Sequence, residues 1–599
     1  MESNKKRRIG LTYLVFGVAI VISFVAVRAI KAADEPIHLV TDWSHRHVVF
    51  SPPHNLMDQL RLSRNPRYIQ QIIRRAAERE VQGVDGSWPH DPDLLHDDWS
   101  IDMGPGATVG AGNYPAKFSF NAGTASCSDF VVYNTSLGGS NASVVAFNNL
   151  YVASSGGCGT VPSIYWAFNT GGTVVTSVVL SFDGSQVAFV QNNSAGNAAT
   201  LVLLKWAANS GTIASPITPN AVSNAAYPTC TAPCMLTIAF SLDGSSNLGD
   251  ALSSPFYDYT GDILFVGDGK GYLHKFTSVF HGSASSPPAE TISSVTNIWP
   301  ALTSPGFPLT DPVYDTDIGQ IFVGSLFGTL KKVDATIGGG APIIIKTNQL
   351  DLTDVNFDGP LLDSTNGVLY LIVSNSASAS GQTSGAFALY TFPVNFPGGA
   401  LGVQTVLSTA GTNEAIYSGA FDNQWFLGHA GNMYVCAGGS GATNSVPTLY
   451  QIPVSTTGVL GTPSAGPALS TSNTGPPLCS PVTEFFNSSN KSGGTHPAGT
   501  DLIFLSVTAL GKQAAPVGCT SNTGCLMSFD VTSGATITSS TAASATINEA
   551  GGTSGIIVDG SSASVGASQV YFTPLASESC VTSGTSGGCA VQASQSGLN

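Results

Sequence analysis

The chain has 599 residues, enough for several average domains or one large repetitive fold, and only 10% of them are charged against roughly 25% in soluble domains. Its net charge of −15 is divided unevenly: residues 1–79 hold 13 Lys and Arg against 6 Asp and Glu, whereas residues 80–599 hold 9 Lys, 31 Asp and Glu and no Arg after Arg79. An acidic body without a guanidinium lacks the bidentate grip on phosphate, which excludes nucleic acid as a partner and opposes anionic lipid for that body.

In chain order, Lys5, Lys6, Arg7 and Arg8 precede a mostly apolar run from Ile9 to Val27, followed by Arg28, Lys31 and Ala32-Ala33-Asp34. That order predicts a secretory signal peptide over residues 1–33. At 19 residues the run also suffices for an uncleaved membrane anchor with its basic end in the cytoplasm, and membrane contact is expected only through this segment. Either way the body is exported, to a periplasm, a cell surface or the medium. Ten cysteines, all beyond the signal, agree: Cys127, Cys158, Cys230, Cys234, Cys436, Cys479, Cys519, Cys525, Cys580 and Cys589. An even number in an exported chain predicts disulfides. Pairing in sequence order would close local loops, although sequence leaves the connectivity open.

Residues 34–112 read as an arm. Asn65 to Glu80, NPRYIQQIIRRAAERE, places Tyr68, Ile69, Ile72, Ile73 and Ala76 at helical spacing, and this is the one amphipathic helix expected. Around it the chain is rich in Pro, His and Asp, and Asp-Trp-Ser occurs twice, at Asp42 and at Asp98. From about Asn113 to residue 599, short apolar or alternating runs split by Gly, Asn, Asp and Ser predict β-strands joined by tight turns. FVGDGKGYLHKF (Phe265 to Phe276) matches FVGSLFGTLKKV (Phe322 to Val333) at an offset of 57, and LYTFPVNFPG (Leu389 to Gly398) matches LYQIPVSTTG (Leu449 to Gly458) at an offset of 60. Second-to-fourth strand sets starting near Pro115, Ser177, Ser254, Asp311, Gly359, Ile416, Pro481 and Ser554 give eight repeats, with SIYWAF, PIIIK and VQTVL as first strands between them. Repeats of this length predict an all-β propeller of four-stranded blades, eight in number with seven as the alternative, because radial closure protects strand edges.

FVGSLFGTLKKVDATIG, from Phe322, resembles the repeat of pyrroloquinoline-quinone-type propellers. LSFDGSQVAF (Leu180 to Phe189) and IAFSLDGS (Ile238 to Ser245) are similar to the Ser-x-Asp-Gly hairpin of WD-like exported repeats, and the whole chain resembles exported bacterial propeller proteins with a DWSHRHVVFS-type arm. The resemblance implies the fold over residues 113–599 and leaves function open, since propellers host enzymes, receptors and scaffolds alike. Quinoprotein enzymes of the first kind use an arginine and often a Cys-Cys pair at the cofactor. The body has neither, so no cofactor is required.

Asp354, Asn356 and Asp358 stand in the D-x-N-x-D-G order with which many calcium loops begin, although Thr365 occupies the twelfth position where an EF-hand needs Glu. An Asp-Gly turn explains the same residues, and calcium is the one ion the sequence offers. His90 to Asp102 holds two histidines and five aspartates but no metal-ligand spacing, which favours a docked arm. The Gly-x-Ser-x-Gly string at Gly584 to Gly588 lies in a Ser/Gly loop rather than between a strand and a helix. No catalytic set emerges. The expectation is an exported, non-catalytic propeller whose loops bind protein or glycan. The alternatives are an enzyme (hydrolase, lyase or oxidoreductase) with its site at the central channel, or a subunit of an extracellular assembly joined through the arm.

Overall fold

The computed structural model describes residues 37–595 apart from 81–94, 152–157, 194–197, 242–251, 293–298, 327, 335–342, 352–357, 410–414, 429, 439–445, 471–477, 488–498, 512–518, 520–522 and 561–568. The signal expected over 1–33 therefore lies outside the described residues, as do Asp354 and Asn356.

Eight sheets of four to six strands account for the body among the described residues. Their innermost strands are Ala116–Ser119, Val179–Leu180, Phe256–Asp258, Val313–Asp315, Leu361–Asp363, Ala420–Phe421, Thr483–Asn487 and Ile557–Asp559, and they define blades 1 to 8. Each begins within four residues of a repeat start read from the sequence. Innermost strands touch between blades 1 and 2, 3 and 4, 4 and 5, 6 and 7, 7 and 8, and 8 and 1. Ser177 N donates to Ser254 Oγ between blades 2 and 3 and Ser418 Oγ to Asp358 Oδ2 between blades 5 and 6, so the ring closes. The fold is an eight-bladed all-β propeller.

Strands here read as near-continuous apolar runs because both faces of most blades are covered. Phe130–Asn134 (FVVYN) is buried at every position, and so is Thr500–Val507. Phe118, Phe130, Val187 and Phe189 pack between blades 1 and 2, and Phe504, Val570 and Val591 between blades 7 and 8. The strands read as opening their repeats lie elsewhere than expected. Ser163–Phe168, Ile344–Lys346 and Val403–Ser408 are the outermost strands of blades 1, 4 and 5, so each sequence repeat straddles two sheets. Phe265, Phe322 and Leu273 are core residues of blades 3 and 4 rather than a stacking surface.

The ten cysteines form five pairs in sequence order, with Cα–Cα distances from 5.2 to 6.5 Å. Cys436–Cys479 ties the second strand of blade 6 to the chain entering blade 7. Gly584 to Gly588 sits in the hairpin closed by Cys580–Cys589, with no helix after the serine.

The arm is woven into this ring. Its elements are β1 (Leu39–Thr41), a 3₁₀ turn over Trp43–Arg46, β2 (Val48–Val49), α1 (Leu56–Leu62), α2 (Pro66–Glu80) and β3 (His96–Asp102). α2 is the helix expected over Asn65 to Glu80; Asn65 Oδ1 caps it by accepting from Arg67 N, and Pro66 suits the first helical position. α1 and the 3₁₀ turn had no sequence-level signal. β3 is the outermost strand of blade 8, antiparallel to Cys589–Ser594, so the ring is fastened by a strand from near the N-terminus. The two Asp-Trp-Ser sites diverge: one is the capped 3₁₀ turn, the other part of β3, and both tryptophans are buried. Across the closing seam Tyr133 Oη of blade 1 donates to Val591 O of blade 8 at 2.8 Å. Tyr133→Phe is expected to cost about 1 kcal/mol, read as a lower urea midpoint; an unchanged midpoint would show that this bond adds nothing to closure.

Candidate functional site: the plugged axial channel

A propeller enzyme would work at its axis, so the occupants of the channel decide what this ring can do. β1 runs antiparallel to the innermost strand of blade 1 and β2 runs parallel to that of blade 5, on the opposite side of the ring. The chain thus enters at the end where the first and second strands of each blade are joined, climbs along blade 1, turns at Trp43–Arg46 and descends along blade 5. α2 then covers the entry end. Gln70 Nε2 donates to Thr41 Oγ1 and Gln71 Nε2 to Val48 O, which ties the helix to both legs of the hairpin.

At the tip, Asp42 Oδ1 accepts from Ser44 N, and the Trp43 indole N–H donates to Pro255 O of blade 3 at 2.9 Å. Arg46 holds three blades at once: Nη2 donates to Asp358 Oδ2 at 2.6 Å, Nη1 to Val482 O at 2.6 Å, and both nitrogens reach Ser418, at its O and Oγ. Its guanidinium also lies 5.1 Å from the ring centre of Tyr114, which fills the axis against Gly555; a Cβ at Gly555 would meet Tyr114 Cζ at 2.4 Å. Around the same end each blade grips the next. Tyr114 N donates to Ser177 Oγ, Ser177 N to Ser254 Oγ, and Ser254 N to Asp311 Oδ1. The Ser or Asp two residues before several innermost strands, visible in the sequence as a recurrent small polar residue, exists for this chain of bonds.

The other arm arginines repeat the pattern. Arg61 bonds Asp317 Oδ1 at 2.6 Å in blade 4, and Arg67 donates to Tyr257 O with its guanidinium 4.4 Å from the centre of the Phe256 ring. Arg74 pairs with both oxygens of Glu484 in blade 7 and with Asn423. The division of charge seen in the sequence is therefore an internal complementarity: the arm's cations neutralise carboxylates lining an arginine-free ring.

The protonation states follow from burial. Desolvation opposes ionisation of Asp358, yet His47 and Arg46 beside it, with hydrogen bonds from Ser418 and the Gly359 N–H, outweigh it and hold the carboxyl below the ordinary carboxylate range. Asp311, buried and close to the Asp358 charge, is pushed well above that range. His47, wholly buried, is lowered to about 4 against the opposing pull of Asp358, so it is neutral at pH 7. Acid and base groups do converge here, but they are spent on holding the plug.

A cavity of about 250 Å³ remains between the arm and blades 6, 7, 8 and 1, walled by Phe421, Phe426, Phe485 and Phe486 with Arg67 and Arg74 at its edge. Of the residues expected to hold calcium, Asp358 is described, and its Oδ2 accepts from Arg46 and Ser418. Among the described residues no group of three His, Cys, Asp or Glu is arranged to hold a metal. His274 is fully buried between Asp268 and Glu290, at 3.2 and 2.6 Å, within blade 3. A second buried cluster joins blades 8 and 1, where Lys117 Nζ lies 2.7 Å from Asp559 and Tyr151 Oη donates to Asp129 and Asp559. Sequence reasoning missed both clusters: Asp268, His274 and Glu290 are near in sequence but match no metal or catalytic spacing, and Asp559 joins Tyr151 from 408 residues away.

The ring and its occupied axis define an eight-bladed propeller carrying its own N-terminal plug. No protein-family model matches the chain, and no curated protein matches it. Solved structures with a similar course include the following three. The C-terminal WD40 domain of Sif2 is 9% identical with a TM-score of 0.40, over 84% of this chain and 99% of that one. Sqt1 from Chaetomium thermophilum is 9% identical with a TM-score of 0.40, over 74% and 90%. Sqt1 from Saccharomyces cerevisiae is 10% identical with a TM-score of 0.35, over 70% and 98%. Likeness at this level carries no functional argument.

Proposed function

We propose that the protein is an exported, non-catalytic interaction module that offers the loops of the unplugged face to a protein or glycan partner. The observation that carries this reading is the hairpin of residues 37–51, which fills the channel where a propeller enzyme would place its chemistry. Five cysteine pairs at bonding distance and the basic-then-apolar N-terminus support export. No helix of the described residues is long and apolar enough to cross a membrane.

The test is a photo-crosslinking residue at Leu252, 47% exposed in the loop leading into blade 3 on the unplugged face. In producing cells the expected result is one discrete adduct that persists after envelope isolation. The reading fails if no adduct forms and the purified chain turns over a hydrolase, lyase or oxidoreductase substrate with loss of turnover in Asp311→Asn.

A further inference from the structure

The face covered by the arm carries apolar side chains that the fold leaves in water. On α1, Leu56, Met57 and Leu60 are 69%, 74% and 54% exposed, while Leu62 points inward and Arg61 turns to Asp317. Spacing of one and four residues places the three on one side of the helix. Ile73 on α2, Ile318 in the first turn of blade 4 and Leu427 in that of blade 6 are exposed at the same end of the ring. Isolated exposed apolar residues need no explanation, but several at one end of a propeller do.

The chain outside the structure says what covers them. Ile37 O accepts from Ala122 N in the first turn of blade 1, so the chain emerges at this same end. Nine residues, Arg28 to Pro36, separate Ile37 from the apolar run that ends at Val27, a span of roughly 30 Å at most.

We propose that the arm-covered face rests on a lipid bilayer, with Leu56, Met57 and Leu60 of α1 entering the interfacial region. The N-terminal run brings this face to the membrane, and α1 fixes its orientation, leaving the unplugged face turned away. This goes beyond partner binding and stands or falls separately from it.

The test uses the full chain in phosphatidylcholine/phosphatidylglycerol vesicles, labelled with an environment-sensitive fluorophore at Met57→Cys or, as control, at Val581→Cys, which is 69% exposed on the opposite face. Lipids bearing a nitroxide in the acyl chain are expected to quench the label at 57 severalfold more than the label at 581. If export removes residues 1–33, the processed chain added to the same vesicles is expected to show the same contrast, with affinity reduced roughly tenfold by Leu60→Ser. Equal quenching at the two positions would overturn the proposal. So would a label at 57 that is shielded by an envelope extract but not by vesicles, since that would assign the face to a protein.

Discussion

Arg46→Met is expected to lower the stability of the folded chain by about 3–5 kcal/mol, the range seen when one partner of a buried ion pair is removed. The Arg46 side chain is 10% exposed and that of Asp358 2%. Without the guanidinium, Asp358 keeps a buried charge with Ser418 Oγ as its remaining close donor, besides the backbone N–H of Gly359. His47 Nε2 lies 3.6 Å from Asp358 Oδ2, but burial lowers it to about 4, so at pH 7 it supplies no full counter-charge. Val482 O and Ser418 O lose their bonds to Arg46 at the same time, which uncouples the hairpin tip from blades 6 and 7. Asp358→Asn placed on top of Arg46→Met is expected to recover a large part of the loss, because a neutral amide removes the unpaired charge. The measurement is the urea midpoint of the three variants. If Arg46→Met alone costs less than about 1 kcal/mol, the plug is held by packing of Trp43 and Tyr114 and not by charge.

The same residue shows where sequence reading stopped. The eight innermost strands were legible because most are short apolar or alternating runs behind a Ser, Asp or Pro, recurring at the unequal spacings of four-strand units. A blade buried on both faces imposes that pattern locally. The helix of residues 66–80 was legible for the same reason, since its apolar positions recur at 3.6 residues. The course of the arm was not. β1 and β2 have three and two residues, too few for any period, and their partners lie 76 to 80 and 314 positions away. Pairing at that distance depends on ring closure, which no local pattern records. One signal did foreshadow it: with every arginine before residue 80 and a surplus of carboxylates after it, the arm was the body's own counter-charge. The calcium order at Asp354 to Gly359 shows the converse, a string that names ligands but not neighbours, since Arg46 reaches Asp358 from 312 residues upstream.

Stability is also expected to fall as pH rises from 6.5 to 8, through the seam where β3 closes the ring. Asp97 on β3 is raised to about 7, by burial first and then by the charges of Glu578 and Asp98. Glu549, fully buried in the loop between blades 7 and 8 and facing Asp97 and Glu578, is raised well above its ordinary value; Glu578 is raised as well. A carboxyl whose folded value lies above its unfolded value stabilises fully below the unfolded one, and that stability is lost as pH climbs through the folded one. For Asp97 the interval from 3.8 to about 7 corresponds to roughly 4 kcal/mol, of which about 1 kcal/mol falls between pH 6.5 and 8. His47 acts in the other direction. Its value is lowered from 6.5 to about 4, so its contribution is present above pH 6.5 and is lost as pH falls through 4. Between pH 6.5 and 8 it still regains about 0.4 kcal/mol, and Lys331, lowered to about 7 by burial and then by Lys346, gains stability over the same window, so the seam is read as the difference between the parent chain and Asp97→Asn. Asp97→Asn is expected to raise stability at pH 8, to flatten the slope between pH 6.5 and 8, and to remove a further loss of roughly 3 kcal/mol between pH 3.8 and 6.5, where His47 acts with the opposite sign. Urea titrations at half-unit intervals measure it; an alkaline slope as steep in Asp97→Asn as in the parent chain would move the proton uptake away from the seam.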